Sequence, residues 1–318
     1  MTTMHLTPCQ LFFMTFALVF SGLSLSGADT LFALLIPFAM TMLWILIGAH
    51  GAEKYREDLT DFLGAYMPRR ETALPLAFFI AVNAALGVVS FFDTVASFGV
   101  MTDFLPFPAV FFVILGTVLV ISRLGTTVLG RLSETTLFLL VPLIVLCLFG
   151  PYRSVATIGT QSDWRLLFAV LPSPVFYMAA MSAVAGDGGA TDSLNASARV
   201  PRRRAGFVCG AMIGGAALAV LVRLFVLLSP LEEGMLLLRF LEYSSHMVKL
   251  SLLLNVCLYG ARRSTPTLKI VVAALSAIAA TVAVGVAAGA IFSPFYLMLV
   301  LSLTSAADAL TLGIFAVR

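Results

Sequence analysis

Glu242, His246 and Lys249 share one apolar run, FLEYSSHMVKLSLLLN at residues 240–255, together with Ser244 and Ser245. An acid, an imidazole and an amine spaced by four and three residues are the groups that carry protons, hold ions or bind polar solutes. At about 100° per residue, Glu242, Ser245, His246 and Lys249 fall within an arc of roughly 100°, one polar stripe on an otherwise greasy helix. The next positions on that face are Leu252 and Leu253, while Ser251 and Asn255 point elsewhere, so Lys249 is the expected deepest member of the stripe. It lies about 11 residues, or about 16 Å, from the nearer end of the expected helix, beyond the reach of a snorkelling stem. A charge at such depth in a bilayer costs at least about 2.5 kcal/mol. Two readings stand. Lys249 is either a working cation whose pKa desolvation lowers enough for proton coupling, or a permanently charged strut paired with a buried carboxylate, for which Asp93 is the candidate. His246 is adequately explained as a member of the stripe, with a proton-relay role as the sharper alternative.

The elements that position these groups follow from composition. The chain has 318 residues, 60% hydrophobic and 11% charged, and a mean hydropathy of +1.05. Such a chain does not close into one water-soluble globule. Repeated apolar runs between short polar breaks predict an all-α polytopic membrane protein, since a spanning helix needs about 20 apolar residues. Ten spans are expected, at roughly 8–27, 31–50, 73–100, 105–122, 126–149, 166–185, 205–230, 236–260, 266–290 and 292–317. They form a single permease-like domain over residues 1–318. The first run lacks a basic leader, because residues 1–10 hold no Lys or Arg, so it is expected to stay in the mature chain. Cys9, Cys147, Cys209 and Cys257 have no metal or disulfide spacing and read as small core residues.

Basic residues orient the bundle, because Lys and Arg accumulate in cytoplasmic loops. With the N-terminus inside, the inner loops and adjoining span ends hold Lys54, Arg56, Arg69, Arg70, Arg123, Arg131, Arg199, Arg202, Arg203, Arg204, Arg262, Arg263, Lys269 and Arg318. The outer side holds Arg153, Arg165 and Arg239, and Arg223 and Lys249 fall inside spans. Both termini are therefore expected in the cytoplasm. Residues 52–67, AEKYREDLTDFLGAYM, read as an amphipathic surface helix, and residues 186–204 as a linker. The formal charge of +3 is explained by topology, and a nucleic-acid partner is not expected.

Two spans carry interruptions. The first contains SGLSLSG, Ser21 to Gly27, and the sixth contains LPSP, Leu171 to Pro174. Glycine costs a helix about 1 kcal/mol, and an interior proline removes a hydrogen bond and clashes with the preceding turn. Spans one and six correspond if ten helices are two halves of five, roughly 8–149 and 166–317, and paired breaks in corresponding helices point to a transporter-type site. The bland reading is that these residues serve close packing and kinks. Among the other charges, Arg131 and Glu134 are expected to form an ion pair by their three-residue spacing, Arg223 is expected to snorkel, and Asp308 has no identified partner. No HExxH, nucleophile elbow or Walker-type loop occurs. Neither an enzyme nor a cofactor or metal is expected.

LTPCQLFF at 6–13 resembles the opening of the spore germination receptor B-subunit permeases, of the amino acid-polyamine-organocation superfamily. The resemblance continues in GTTVLGRLSETTLFLLVPLIV at 125–145, DWRLLFAVLPSPVFYMAAM at 163–181 and FLEYSSHMVKLSLLLNVCLYGA at 240–261. It implies an inverted five-plus-five bundle of the leucine-transporter type. In such a bundle a small nutrient, typically an amino acid, is held at breaks in helices 1 and 6. On that reading the site comprises backbone at Gly22, Ser24 and Gly27, together with Ser173, Phe176 and Tyr177. Half-helix N-termini would hold a carboxylate, and the aromatics would wall in a side chain. The Lys249 ammonium would stand where sodium-driven members hold a cation, with His246 and Asp93 as further ion-site or coupling groups. The expected function is a nutrient-sensing receptor subunit in a bacterial cell membrane or spore inner membrane, with other receptor subunits as partners. The alternative is a proton-coupled secondary amino acid transporter.

Overall fold

The computed structural model describes residues 7–25, 106–124, 126–149, 202–228 and 235–263, with isolated helical positions between 34 and 46 and between 91 and 98. The described residues form five long helices and no strand: α1 (Pro8–Leu25), α2 (Phe107–Leu124), α3 (Thr126–Phe149), α4 (Arg202–Leu228) and α5 (Met235–Arg263). They coincide with the first, fourth, fifth, seventh and eighth expected spans. The other expected spans, apart from those isolated positions, the LPSP interruption and the 52–67 helix lie outside the described residues.

The start of α1 is written into LTPCQ. The Thr7 amide donates to Gln10 Oε1 at 3.1 Å, and the Gln10 amide donates to Thr7 Oγ1 at 3.2 Å. This reciprocal capping box satisfies two amide donors at the helix start, and Pro8 adds a preset backbone angle where no amide partner is needed. Pro106 does similar work for α2, its carbonyl accepting from the Ala109 and Val110 amides at 2.8 and 3.3 Å.

The expected interruption of the first helix is not found over Ser21–Leu25, which continue α1 as regular helix. The Ser21 hydroxyl donates to the Leu18 carbonyl at 2.9 Å, so it is satisfied within its own turn instead of competing for the backbone. Gly22 lowers helix propensity by only about 1 kcal/mol, and the buried neighbours Leu18, Val19, Phe20 and Leu23 more than offset that by packing. Ser26 and Gly27 lie outside the described residues. A second correction concerns the linker expected at 186–204: Arg202, Arg203 and Arg204 form the first turn of α4, arginine being a good helix former whose long stem can reach water. Cys9 is exposed in the first turn of α1 rather than in the core, whereas Cys209 is buried.

Helix α1 packs on α3, α4 and α5, and α5 packs on α1, α2 and α3. The α1–α4 contact is the tightest. A Cβ on Gly215 would collide with the Phe12 carbonyl oxygen and come within 3.2 Å of the Phe16 backbone nitrogen, while one on Gly214 would lie 3.1 Å from the Phe12 ring. Small residues let two membrane helices approach backbone to backbone in this way. Phe16 and Phe20, fully buried, stack at 5.4 Å beside this contact. A second cluster joins α2, α5 and the helical positions of the third expected span: Val95, Val110, Ile114, Val118, Met247 and Leu250. Phe98 stacks on Tyr243 at 4.5 Å, and Phe91 meets Phe111 edge-on at 5.0 Å.

The described helices carry large apolar side chains on their outer surface. Phe112, Phe138, Phe149 and Phe207 are all more than half exposed, Phe138 by 78%. Side chains this large and oily face lipid rather than water. Val128–Leu146 and Gly206–Leu228 are long and apolar enough to cross a membrane, with Pro8–Leu23 and Pro108–Ser122 as shorter apolar helices.

Gly215→Val is expected to force α1 from α4 and lower the unfolding midpoint of the detergent-purified protein by the equivalent of about 1–3 kcal/mol. Gly210→Ala, whose new methyl meets open space, should leave it unchanged; equal melting of both variants would contradict the close approach.

Candidate functional site

Helix α5 holds the polar stripe, and most of its circumference is covered. Leu241, Glu242, Ser245, His246, Met247, Val248, Leu250, Ser251 and Leu252 are all buried. The four stripe residues do share a face. Burial, however, peaks at Ser245 (0% exposed) and His246 (3%), while Lys249 is half-buried. The deepest point of the stripe therefore lies one turn before the lysine. Lys249 has an interaction partner of its own. Ser251, expected off the stripe, is also fully buried, because α5 is enclosed by helices on more sides than an amphipathic reading assumes.

At the other end of the stripe, Glu242 is clamped from two helices. Arg223 of α4 approaches its Oε1 at 3.7 Å, and Arg239, one turn back on α5, approaches its Oε2 at 3.3 Å. The Arg223 and Glu242 side chains are only 13% and 11% exposed. Arg223 thus does not snorkel to water as expected. A carboxylate within reach inside the bundle offers the guanidinium a partner matched in charge and hydrogen bonding. Sequence distance to the span end did not reveal this, because the partner is contributed by another helix. Conversely, Arg131 and Glu134 do not form the expected pair within α3. Arg131 is exposed, and there the gain from one ion pair is comparable to the side-chain entropy lost in holding it.

Three of the four segments that carry the sequence resemblance converge in space: LTPCQLFF opens α1, residues 126–145 lie on α3, and 240–261 lie on α5, three helices in mutual contact. The Ser133 hydroxyl of α3 reaches the Gln10 carbonyl of α1 at 3.4 Å. Gly22 and Ser24 lie near the end of α1 on regular helix. Gly27, Asp93, Ser173, Phe176 and Tyr177 lie outside the described residues, as do Cys147 and Cys257 for their side chains. Among the described residues, no group of three or more His, Cys, Asp or Glu side chains could hold a metal.

Glu242→Gln leaves the largely buried Arg223 guanidinium without its carboxylate, while Arg239 is 44% exposed and can turn to solvent, so the change is expected to cost about 3 kcal/mol, the low end of the penalty for an uncompensated buried charge. The double variant Arg223→Met, Glu242→Leu should recover most of the lost melting temperature. A Glu242→Gln protein that melts like the parent would mean the clamp is not structural.

No family model matches the chain, and no curated protein matches it either. Its fold is similar to that of a manganese transporter of Eremococcus coleocola, solved in complex with an aromatic bis-isothiourea substituted compound. The TM-score is 0.52 at 15% sequence identity, over 96% of this chain and 75% of that one. The chain is an all-helical membrane protein, among its described residues, with the fold of a transporter.

Proposed function

We propose that this chain is a permease that binds a small solute within the bilayer and moves it by alternating access, the solute being an amino acid. Support for a transporter-like role comes from the fold and, above all, from the buried polar arc on α5 packed against α1. Ionisable side chains inside a membrane bundle are costly and mark solute or ion pathways by default. At 15% identity the likeness to the manganese transporter speaks of the fold, so its cargo is not carried over; the amino acid comes from the sequence resemblance.

In this proposal the ten helices form the inverted five-plus-five bundle. The solute lies between the end of α1, at Gly22, Ser24 and Gly27, and Ser173, Phe176 and Tyr177 of the sixth span. Lys249 is the coupling cation, with His246 and Asp93 as its neighbours, and both termini are cytoplasmic. A second reading, favoured by the four segments resembling germination-receptor permeases, is a sensing subunit that partner subunits read. A ligand drives such a receptor only by binding one of its states more tightly.

Proteoliposomes carrying the full chain are expected to accumulate radiolabelled amino acids saturably under an inward proton gradient. Lys249→Met should reduce that uptake at least tenfold with an unchanged melting temperature. Normal uptake by that variant removes Lys249 from the mechanism, and binding without accumulation favours the sensing subunit.

A further inference from the structure

Hydroxyl groups on these helices have a default way of being satisfied, and α5 departs from it. Ser21, Thr117, Ser122, Ser133, Thr135 and Thr136 each donate to a carbonyl three or four residues back, at 2.6–3.0 Å. Ser245 Oγ and His246 Nδ1 are buried and have no hydrogen-bond partner. A buried polar group left unmade costs free energy, and native structures rarely keep two side by side without a purpose. Ser251 Oγ is also without a partner, but it lies on a different side of α5, at about 240° from Ser245 by the helical turn.

In projection, Ser245 and His246 mark the two edges of the polar arc, and Lys249 lies between them, further along the axis by about 6 Å from Ser245 and about 4.5 Å from His246. Two unpartnered groups able to donate hydrogen bonds, the hydroxyl and the imidazole in its Nδ1–H form, therefore flank the arc one turn before the Lys249 ammonium, which has a partner of its own. The one carboxylate on the arc, Glu242, has an oxygen engaged by each of two arginines and does not serve as their acceptor.

We propose that Ser245 and His246, under the field of Lys249, form a subsite for a carboxylate group of a small solute. The subsite deepens the proposed amino acid binding and rests on it for the identity of the solute, but its chemistry requires only the carboxylate. It also places the acid group on α5 rather than on the backbone of the first span.

The chain has three histidines, His5, His50 and His246, so the full-length protein labelled with nitrogen-15 histidine in nanodiscs reports on each, with His246→Gln identifying the third. Propionate is expected to shift the His246 ring-nitrogen signals saturably, the uncharged isostere propionamide not at all, and Ser245→Ala to weaken the propionate response at least tenfold. Silence toward propionate, an equal response to propionamide, or full affinity in the Ser245 variant would each overturn the subsite. A specific propionate response in a protein that neither binds nor accumulates amino acids removes the amino acid reading alone, and amino acid uptake with a silent His246 removes the subsite alone.

Discussion

Among the described helices, α4 comes up against the backbone of α1 at Phe12, an approach possible only because residue 215 has no side chain. Between membrane helices there is little hydrophobic driving force, since lipid tails are as apolar as leucine, so contact area and close packing hold the helices together. With α4 seated there, Phe16 and Phe20 are sealed from lipid, and α1 presents its remaining faces to α3 and α5. The capping box at Thr7 and Gln10 fixes where that rod begins. Everything polar on α5 is therefore judged against a rigid wall.

The treatment of polar groups then divides in two. Most hydroxyls return to their own helix, such as Ser133 to Gly130 and Thr136 to Ser133, which makes them nearly neutral passengers in an apolar setting. Glu242 is met by guanidinium groups from two helices, so a charge that would be prohibitive alone is compensated by a side-chain link from α4 to α5. Ser245 and His246 follow neither course. Thr41 and Ser251 also keep a buried hydroxyl without a partner, but Ser245 and His246 are consecutive residues.

Much of the architecture was legible in the linear pattern. The apolar runs placed α1 to α5 within a few residues of their positions, and LTPCQ carried both the proline and the capping pair that start α1. The residues around 242–249 announced a shared face because helical periodicity is a local property. The interruption expected over Ser21–Gly27 is absent from its described part, Ser21–Leu25, for a physical reason: glycine and serine weaken a helix by small amounts, and whether it breaks depends on what packs around it. At Ser21 to Leu25 the surrounding apolar contacts and the back-bonded Ser21 keep the helix regular. Arg223 was misjudged because its partner lies on another helix, and Arg131 with Glu134 because spacing permits a pair without making it worth the entropy.

What the sequence settled alone is the class of solvent and the local periodicity. A chain this apolar must live in lipid as helices, since hydrocarbon offers no partner to a free backbone group. What only the tertiary structure decided is which polar groups find each other: that Arg223 reaches Glu242, that Gly215 admits Phe12, and that Ser245 and His246 are enclosed without protein partners. These are distances between residues far apart in the chain, set by how whole helices pack, and no run of neighbouring residues contains them.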